Sequence, residues 1–582
     1  MATRSIEPSK TSRSLSSFIP ILAWLPRYNR GWLIADILAG LTLWGLVVPE
    51  GMAYAGVAGL PPQFGLYTLV ASLLVYAVFG SSRHLSVGAT SATAALIAST
   101  VIALGATTAD MATYSAYAVA LVLVIGVVFL VAGVARLGWV TQFLSKPVMD
   151  GFVTGLAVFV AVGQLNKLFG VDKGEGNVFE KFFAVIQQLP EANWVSFAVG
   201  ASALALLFLL PRWNKKIPAG LVVLFGSILV SALFKLDANF GVDVAGVLPQ
   251  GLPALSLPQV SVNTVMDMIL PAIGIFLVAY SEALGVAREF AEKHGYEVDA
   301  DQELNAHAFT NLASGLLGGM IAAGGMSASA VKEGAGGRTQ IANLVAWVVT
   351  IITLLFLTPL FASLPEAVLA ALIIHAVWHI LTARKLEKIR LVSRTEFWLA
   401  ALTLAGVLFI DVLQGMIIGL LASLLLIVYQ SSRPHVASLG RIPGIPGVYS
   451  DLNRHPENTA VPGVLIVRLD APIYYANALT VRERIKALLA ETQPPPHTMV
   501  VDAAGQDSLD ITTAEALKGL LVELKEKGID FYVAELHGPV FEFGQRTGLL
   551  ELIGEDHIFP TVDAAVRFIE ASARSENANP EG

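Results

Sequence analysis

Long apolar runs broken by short polar turns fill the first 430 residues of the chain. A helix rising about 1.5 Å per residue needs about 20 residues to cross a hydrocarbon layer about 30 Å thick. Ala112 to Val134, Ile217 to Phe234, Ile341 to Leu364 and Val412 to Gln430 come up to that length without one charged residue. Shorter or polar-interrupted candidates lie at 31–48, 66–80, 86–103, 147–169, 195–211, 264–287, 306–323, 326–336, 366–382 and 396–410. The pattern therefore predicts fourteen spans, with 86–103 and 326–336 the weakest.

After Gln430 the pattern changes. SSRPHVASLGRIPGIPGVYSDLNRHPEN is rich in Pro and Gly and reads as a linker, assigned to 431–460. Beyond it VLIVRLD (464–470), HTMVVDA (497–503) and IDFYVAEL (529–536) read as strands. VRERIKALLAE, ITTAEALKGLLVELKEKG and VDAAVRFIEASA have amphipathic helical spacing. A small α/β domain is expected over 461–574, and the polar tail SENANPEG (575–582) is expected to be disordered.

Composition fixes the solvent. The 582 residues are 55% hydrophobic and only 14% charged, with mean hydropathy +0.67, which is too apolar for a soluble enzyme. With no cysteine, disulfides, thiolate metal sites and cysteine nucleophiles are excluded. The net charge of -8 averages lipid-buried and soluble parts and points to no partner. The basic, polar amino end (1–30) is not followed by a short apolar core with a small-residue cleavage site, so the first apolar run is expected to be retained.

Charge then tests the span count, because Lys and Arg gather in short cytoplasmic loops. If the amino end (Arg4, Lys10, Arg13, Arg27, Arg30) is cytoplasmic, even-numbered spans should exit toward basic residues. They do so at Arg83, Arg136, Arg212 with Lys215 and Lys216, Arg288 with Lys293, and the cluster from Arg384 to Arg394. Lys173, Lys181 and Lys235 are the exceptions on the other side. An even count places both termini in the cytoplasm of a multi-pass plasma-membrane protein.

The two weak spans share a composition. SVGATSATAA (86–95) holds nine Gly, Ala, Ser or Thr residues in ten, and AAGGMSASAVKEGAGG (322–337) holds five glycines in sixteen. They occupy the third position of each set of seven spans, where glycine-interrupted segments in two halves point to a transporter site built from broken helices. A half-helix ending inside the membrane leaves unsatisfied N–H groups at a positive dipole end, which an anion would complete. Close packing of small residues is the competing reading of either stretch alone.

These residues resemble a known family. LTLWGLVVPEGMAYAGVAGLPPQFGLYTLV (41–70), FGSSRHLSVGATS (79–91) and SASAVKEGAGGRTQIA (327–342) are similar to signature segments of the SulP anion permeases. RLDAPIYYANALTVRERI (468–485) is similar to the start of their STAS domain. The resemblance implies a polytopic α-helical transporter over 31–430, a seven-plus-seven inverted repeat with UraA-like core and gate domains, and usually a homodimer. It also implies a cytoplasmic α/β STAS domain open to a regulatory partner. By position it maps the anion site to Glu50, Tyr54, Thr90, Ser91, Met326, Ser327 and Ala328. Two departures stand out: many relatives have a basic residue at the position of Ala328 and Gln at that of Glu50. A carboxylate gained where a cation is lost favours anion–proton symport over a permanently divalent anion.

Glu282, inside an apolar span, is the candidate for binding the coupling proton or sodium, with Glu50 as its second; pairing of Glu282 to Arg288 is the competing reading. Lys332 and Glu333 are read as a local pair, and Asp411 as a solvated loop residue. His375 and His379 have no third partner at metal-ligand spacing and read as packing. In SLDITTAEAL (508–517), Thr512 and Thr513 follow Asp510 at a helix start, a place for a regulatory phosphate or an ordinary cap. With no P-loop, metal constellation or nucleophile–base arrangement, neither an enzyme nor a nucleic-acid binder is expected, and no cofactor beyond a coupling ion. The expected function is secondary active transport of a small inorganic or organic anion, sulfate first, then bicarbonate or a C4-dicarboxylate. An uncoupled exchanger or channel is the alternative.

Overall fold

A computed structural model describes residues 18–143, 145–172, 174, 176–213, 219–378 and 383–578. Residues 1–17, Lys173, Lys215 and Lys216, His379 and residues 579–582, all named in the sequence reading, lie outside the described residues.

A helix stands at each of the fourteen predicted positions. In order these are α1 (Leu33–Val57), α2 (Gln63–Phe79), α3 (Ser91–Ala103), α4 (Met111–Val134), α5 (Lys146–Gly163), α6 (Trp194–Trp213) and α7 (Ala219–Phe234). The second seven are α8 (Val262–His294), α9 (Ala300–Leu316), α10 (Met326–Gly334), α11 (Ile341–Ile352), α12 (Glu366–Trp378), α13 (Arg394–Phe409) and α14 (Val412–Ser431). Among the described residues, seven stretches are long and apolar enough to cross a bilayer unaided: Arg30–Val57 with α1, α4, Lys146–Phe169 with α5, α6, α8, Ile341–Ser363 with α11, and α14. The short α3 and α10 are each preceded by a two-residue strand, β1 (Val87–Gly88) and β2 (Ala323–Gly324). The fold is the seven-plus-seven inverted repeat that the sequence predicts.

Two bundles emerge from the packing. In the first, α4 lies against α8 and α9, α2 against α9 and α11, and α1 against α2, α10 and α11. In the second, α5 lies against α13, and α6 against α7 and α12. Two acids inside the first bundle are matched internally, as a lipid surround demands. The buried Glu303 of α9 accepts from the Tyr76 hydroxyl and from the N–H and hydroxyl of Ser81, fixing the end of α2. The buried Asp36 of α1 accepts from Arg338 N and from the Thr339 hydroxyl, fixing the turn before α11.

The structure departs from the sequence reading at three points. Pro49 does not end α1, which runs on to Val57. The ninth span lies at Ala300–Leu316 rather than 306–323, because Asp299 caps it by accepting from the N–H groups of Asp301 and Gln302. Asp411 is not a free loop residue: one of its oxygens accepts from the Ser99 hydroxyl of α3 and the other from Val412 N.

The second compact unit begins at Leu424. Its sheet has the order β4-β3-β5-β6-β7-β8, where β3 is Val436–Arg441, β4 Tyr449–Asp451, β5 Val464–Leu469, β6 Thr498–Asp502, β7 Asp530–Ala534 and β8 Ile558–Phe559. β5 to β8 run parallel, and β3 runs antiparallel to both β4 and β5. Period-two alternation sends Leu465, Val467, Met499 and Val501 to one face, under helices α15 (Ala478–Glu491) and α16 (Ile511–Glu526). Val464, Ile466 and Val500 face the other side, under helix α18 (Val562–Ala578), which follows α17 (Gly538–Thr547). The stretch assigned to a linker thus holds two strands; its Pro and Gly punctuate short pairing segments. Likewise α18 continues to Ala578, four residues into the tail expected to be disordered.

Candidate functional site

The two small-residue stretches meet inside the first bundle. β1 and β2 pair antiparallel, Val87 opposite Gly324 and Gly88 opposite Ala323, and each strand hands its chain to a half-helix. α3 starts at Ser91 and α10 at Met326, so both interruptions are real helix starts at membrane depth. Both starts border one cavity of about 820 Å³, which is also lined by Glu50 and Tyr54 of α1 and by Ser281 and Glu282 of α8. All seven residues proposed to bind substrate, and both proposed to couple, line this cavity.

The acids are held crosswise. Glu282, on the first helix of the second repeat, accepts from the hydroxyl of Thr90 at the start of α3, in the first repeat, at 3.3 Å. Glu50, on the first helix of the first repeat, lines the same cavity as Ser327 at the start of α10, in the second repeat, near enough for that serine to act on its carboxyl. Each carboxyl therefore sits at the mouth of the other repeat's half-helix, where the dipole end favours negative charge. Glu282 does not pair with Arg288, whose side chain borders the same cavity.

The cavity has a direction. Lys146, Met149 and Asp150 in the first turns of α5, Arg288 late in α8, and Ala376 and Val377 near the end of α12 carry it to the side on which α1 begins. Sequence reasoning missed Ser281, Lys146 and Asp150. The Ser281 hydroxyl is buried without a hydrogen-bond partner in the structure, next to Glu282. A serine abutting an intramembrane glutamate was the available signal. For Lys146 and Asp150, four apart at a span start, the signal was no stronger than for any helix end.

Lys332 is not paired with Glu333, which bonds Lys293 at 2.7 Å and His294 at 3.0 Å on α8. Successive helical residues diverge by about 100° around the axis, which separates the two side chains. His375 packs edge-on against the Phe208 ring. No group of three or more metal-ligating side chains gathers among the described residues. In the α/β unit Asp510 caps α16, accepting from the N–H and the hydroxyl of Thr513. Burial would raise the Asp510 pKa, but these bonds outweigh it and hold the carboxyl below its usual range. Thr513 is buried by that cap, and Thr512 is left exposed.

Residues 33–403 match the Sulfate permease family and residues 455–565 match the STAS domain. The chain belongs to the sulfate permease family. It is 35% identical over 560 residues to a probable sulfate transporter of Mycobacterium tuberculosis, covering 96% of this chain and 99% of that protein. The structure of the murine Solute Carrier 26 family member A9 anion transporter, in its inward-facing state, superposes with a TM-score of 0.89 at 25% identity, covering 97% of both chains. The transmembrane domain of the cyanobacterial bicarbonate transporter BicA shares the fold, with a TM-score of 0.59 at 22% identity over 68% of this chain and 98% of that one. This permease is a multi-pass membrane anion transporter with a STAS domain, and not an enzyme.

Proposed function

We propose that this permease is a secondary active transporter that carries a small anion, sulfate first, across the plasma membrane by elevator-type alternating access, driven by a proton or sodium gradient. The first bundle serves as the mobile core carrying the anion between the α3 and α10 mouths, and the second as the gate. Both termini, and the side to which the cavity opens, are assigned to the cytoplasm. The observation that carries the reading is the crosswise pair of acids. An anion brought to two dipole ends beside Glu50 and Glu282 is repelled unless a carboxyl is neutralised by a proton or a bound cation, which ties anion entry to coupling-ion entry. Bicarbonate and C4-dicarboxylates fit the same mouths and are the next substrates to test. Homodimeric assembly and a regulatory partner for the STAS domain belong to the same proposal.

Purified protein in liposomes, offered labelled sulfate, bicarbonate and C4-dicarboxylate under separate proton and sodium gradients, tests it. Uphill accumulation of one anion under one gradient is expected. Glu282→Gln is expected to abolish accumulation, while downhill anion exchange persists. Accumulation unchanged by Glu282→Gln removes that residue from coupling, and anion flux indifferent to either gradient makes the protein an uncoupled exchanger.

A further inference from the structure

Lys332 is fully buried in the last turn of α10. Its Nζ lies 3.4 Å from Arg83 O, 3.3 Å from Leu85 O and 3.4 Å from Asn343 Oδ1, and among the described residues it makes no ion pair. Three acceptors call for three N–H donors, which the ammonium has and the neutral amine lacks. Asp36, the acid that acts on it from a distance, has its oxygens taken by Arg338 N, the Thr339 hydroxyl and the Tyr28 hydroxyl. A buried cation facing only neutral oxygens is costly, and its charge is not consumed locally.

The position of that charge matters. Leu85 O belongs to the peptide whose N–H, on Ser86, donates to the Ser329 hydroxyl, and Ser86 lines the cavity. The ammonium therefore sits one peptide unit behind the cavity wall, where the strands cross. Ala328, on that wall, lies four residues before Lys332 on the same stripe of α10, and both are buried. Asn343 Oδ1 links the two sides, accepting from the Ser86 hydroxyl at 2.8 Å as well as from Lys332.

We propose that Lys332 is the cation that makes an anion site possible beside Glu50 and Glu282, and that it sets the anion affinity and the preference for anion charge without touching the anion. The inference rests on the transport reading above. A unit charge several ångströms behind the wall, in a medium of intermediate dielectric, is worth about a tenfold change in anion affinity.

The test is labelled-anion uptake by full-length protein in liposomes, with KM, kcat and thermal midpoint measured for each variant. Lys332→Met and Lys332→Gln are expected to raise KM about tenfold at little change in kcat, with the larger loss for a divalent anion. Lys332→Arg should retain the wild-type KM, and the double variant Ala328→Arg/Lys332→Met should recover it by returning a cation to the same stripe. A folded Lys332→Gln with wild-type KM overturns the proposal. So does loss of folded protein in both neutral variants that Ala328→Arg fails to restore, since Lys332 is then a structural strut. Wild-type protein that moves no anion refutes the transport reading itself, a result distinct from either.

Discussion

The two half-helix mouths that face each other across the cavity are built differently. At α3, Thr90 caps the helix: its hydroxyl accepts from Thr93 N, and Thr93 answers by accepting from Thr90 N. At α10 the cap position is Gly325, which has no side chain to offer, and the first intrahelical bond runs from Ser329 N to Gly325 O. The amides of Met326, Ser327 and Ala328 are left without intrahelical partners at the cavity, whereas α3 leaves only those of Ser91 and Ala92. The α10 mouth is the open one, and the proposed grip on an anion concentrates there. At the α3 mouth the capping Thr90 itself donates to Glu282, one of the carboxyls proposed to couple.

Closing the open mouth should have the largest effect. Gly325 has φ -88° and ψ 120°, a conformation any residue adopts, and a Cβ there would meet only Ala328 Cβ at 3.5 Å and Ser86 O at 3.8 Å. Gly325→Asp is therefore sterically allowed, and its carboxylate would cap α10 by accepting from the amides reserved for the anion. Two lost charge-assisted hydrogen bonds predict about a hundredfold loss of anion affinity. The same cap should raise the stability of the folded protein by about 0.3 kcal/mol, since glycine is itself a tolerated cap. A variant more heat-resistant than wild type yet unable to bind labelled anion is the expected outcome. Retained affinity would place the anion elsewhere.

The crossing strands repeat the asymmetry at shorter range. A Cβ at Gly324 would lie 2.7 Å from Ala283 Cα and 2.9 Å from Leu85 Cδ1, so an added methyl must push the α8 backbone beside Glu282. At Gly88, which pairs with Ala323 on the facing strand, the closest atom is the flexible Leu69 Cδ2 at 3.2 Å. Gly324→Ala is expected to cost about 2 kcal/mol of stability and most of the coupled uptake, because overpacking a filled site displaces the backbone. Gly88→Ala should stay within about 1 kcal/mol of wild type, since a single side chain can give way. Thermal midpoints of the two variants, measured side by side, check the difference; equal losses would mean that the crossing is symmetric.

What was legible in the sequence follows the range of the forces involved. Fourteen spans are readable because the bilayer imposes a length and a polarity on each one locally. The pairing of 86–95 with 322–337 is readable because interrupted composition recurs at matched positions in two halves. The crosswise contacts were not, since Glu50 with Ser327 and Glu282 with Thr90 join residues far apart in the chain, and only the packed bundle brings them together. Lys332 looked like half of a local pair with Glu333, yet its acceptors lie in the loop after α2 and on α11. Asp411 looked solvated because the serine that binds it is 312 residues away. In the α/β unit, the alternation of VASLGR (436–441) was hidden by surrounding Pro and Gly, whose turn signals outweigh one short strand.

The far ends of the two half-helices are held differently as well. The last turn of α10 holds Glu333, tied to Lys293 and His294 of α8, so both of its ends stay within the first bundle. α3 instead reaches into the second bundle near its end, where the Ser99 hydroxyl donates to Asp411 in the turn between α13 and α14. That contact lies on the face opposite the cavity's opening and joins parts that separate under the proposed alternating access. Removing it should ease the change by about fivefold, the worth of one hydrogen bond of about 1 kcal/mol. The chain has no cysteine, so a single Met326→Cys, bordering the cavity, reports which side is open. Ser99→Ala in that background should speed labelling by an impermeant thiol reagent applied from the face where Asp411 lies, with anion affinity unchanged. Labelling no faster than in the parent would show that Ser99 and Asp411 stay together through the cycle, and that α3 and α10 move alike at their far ends.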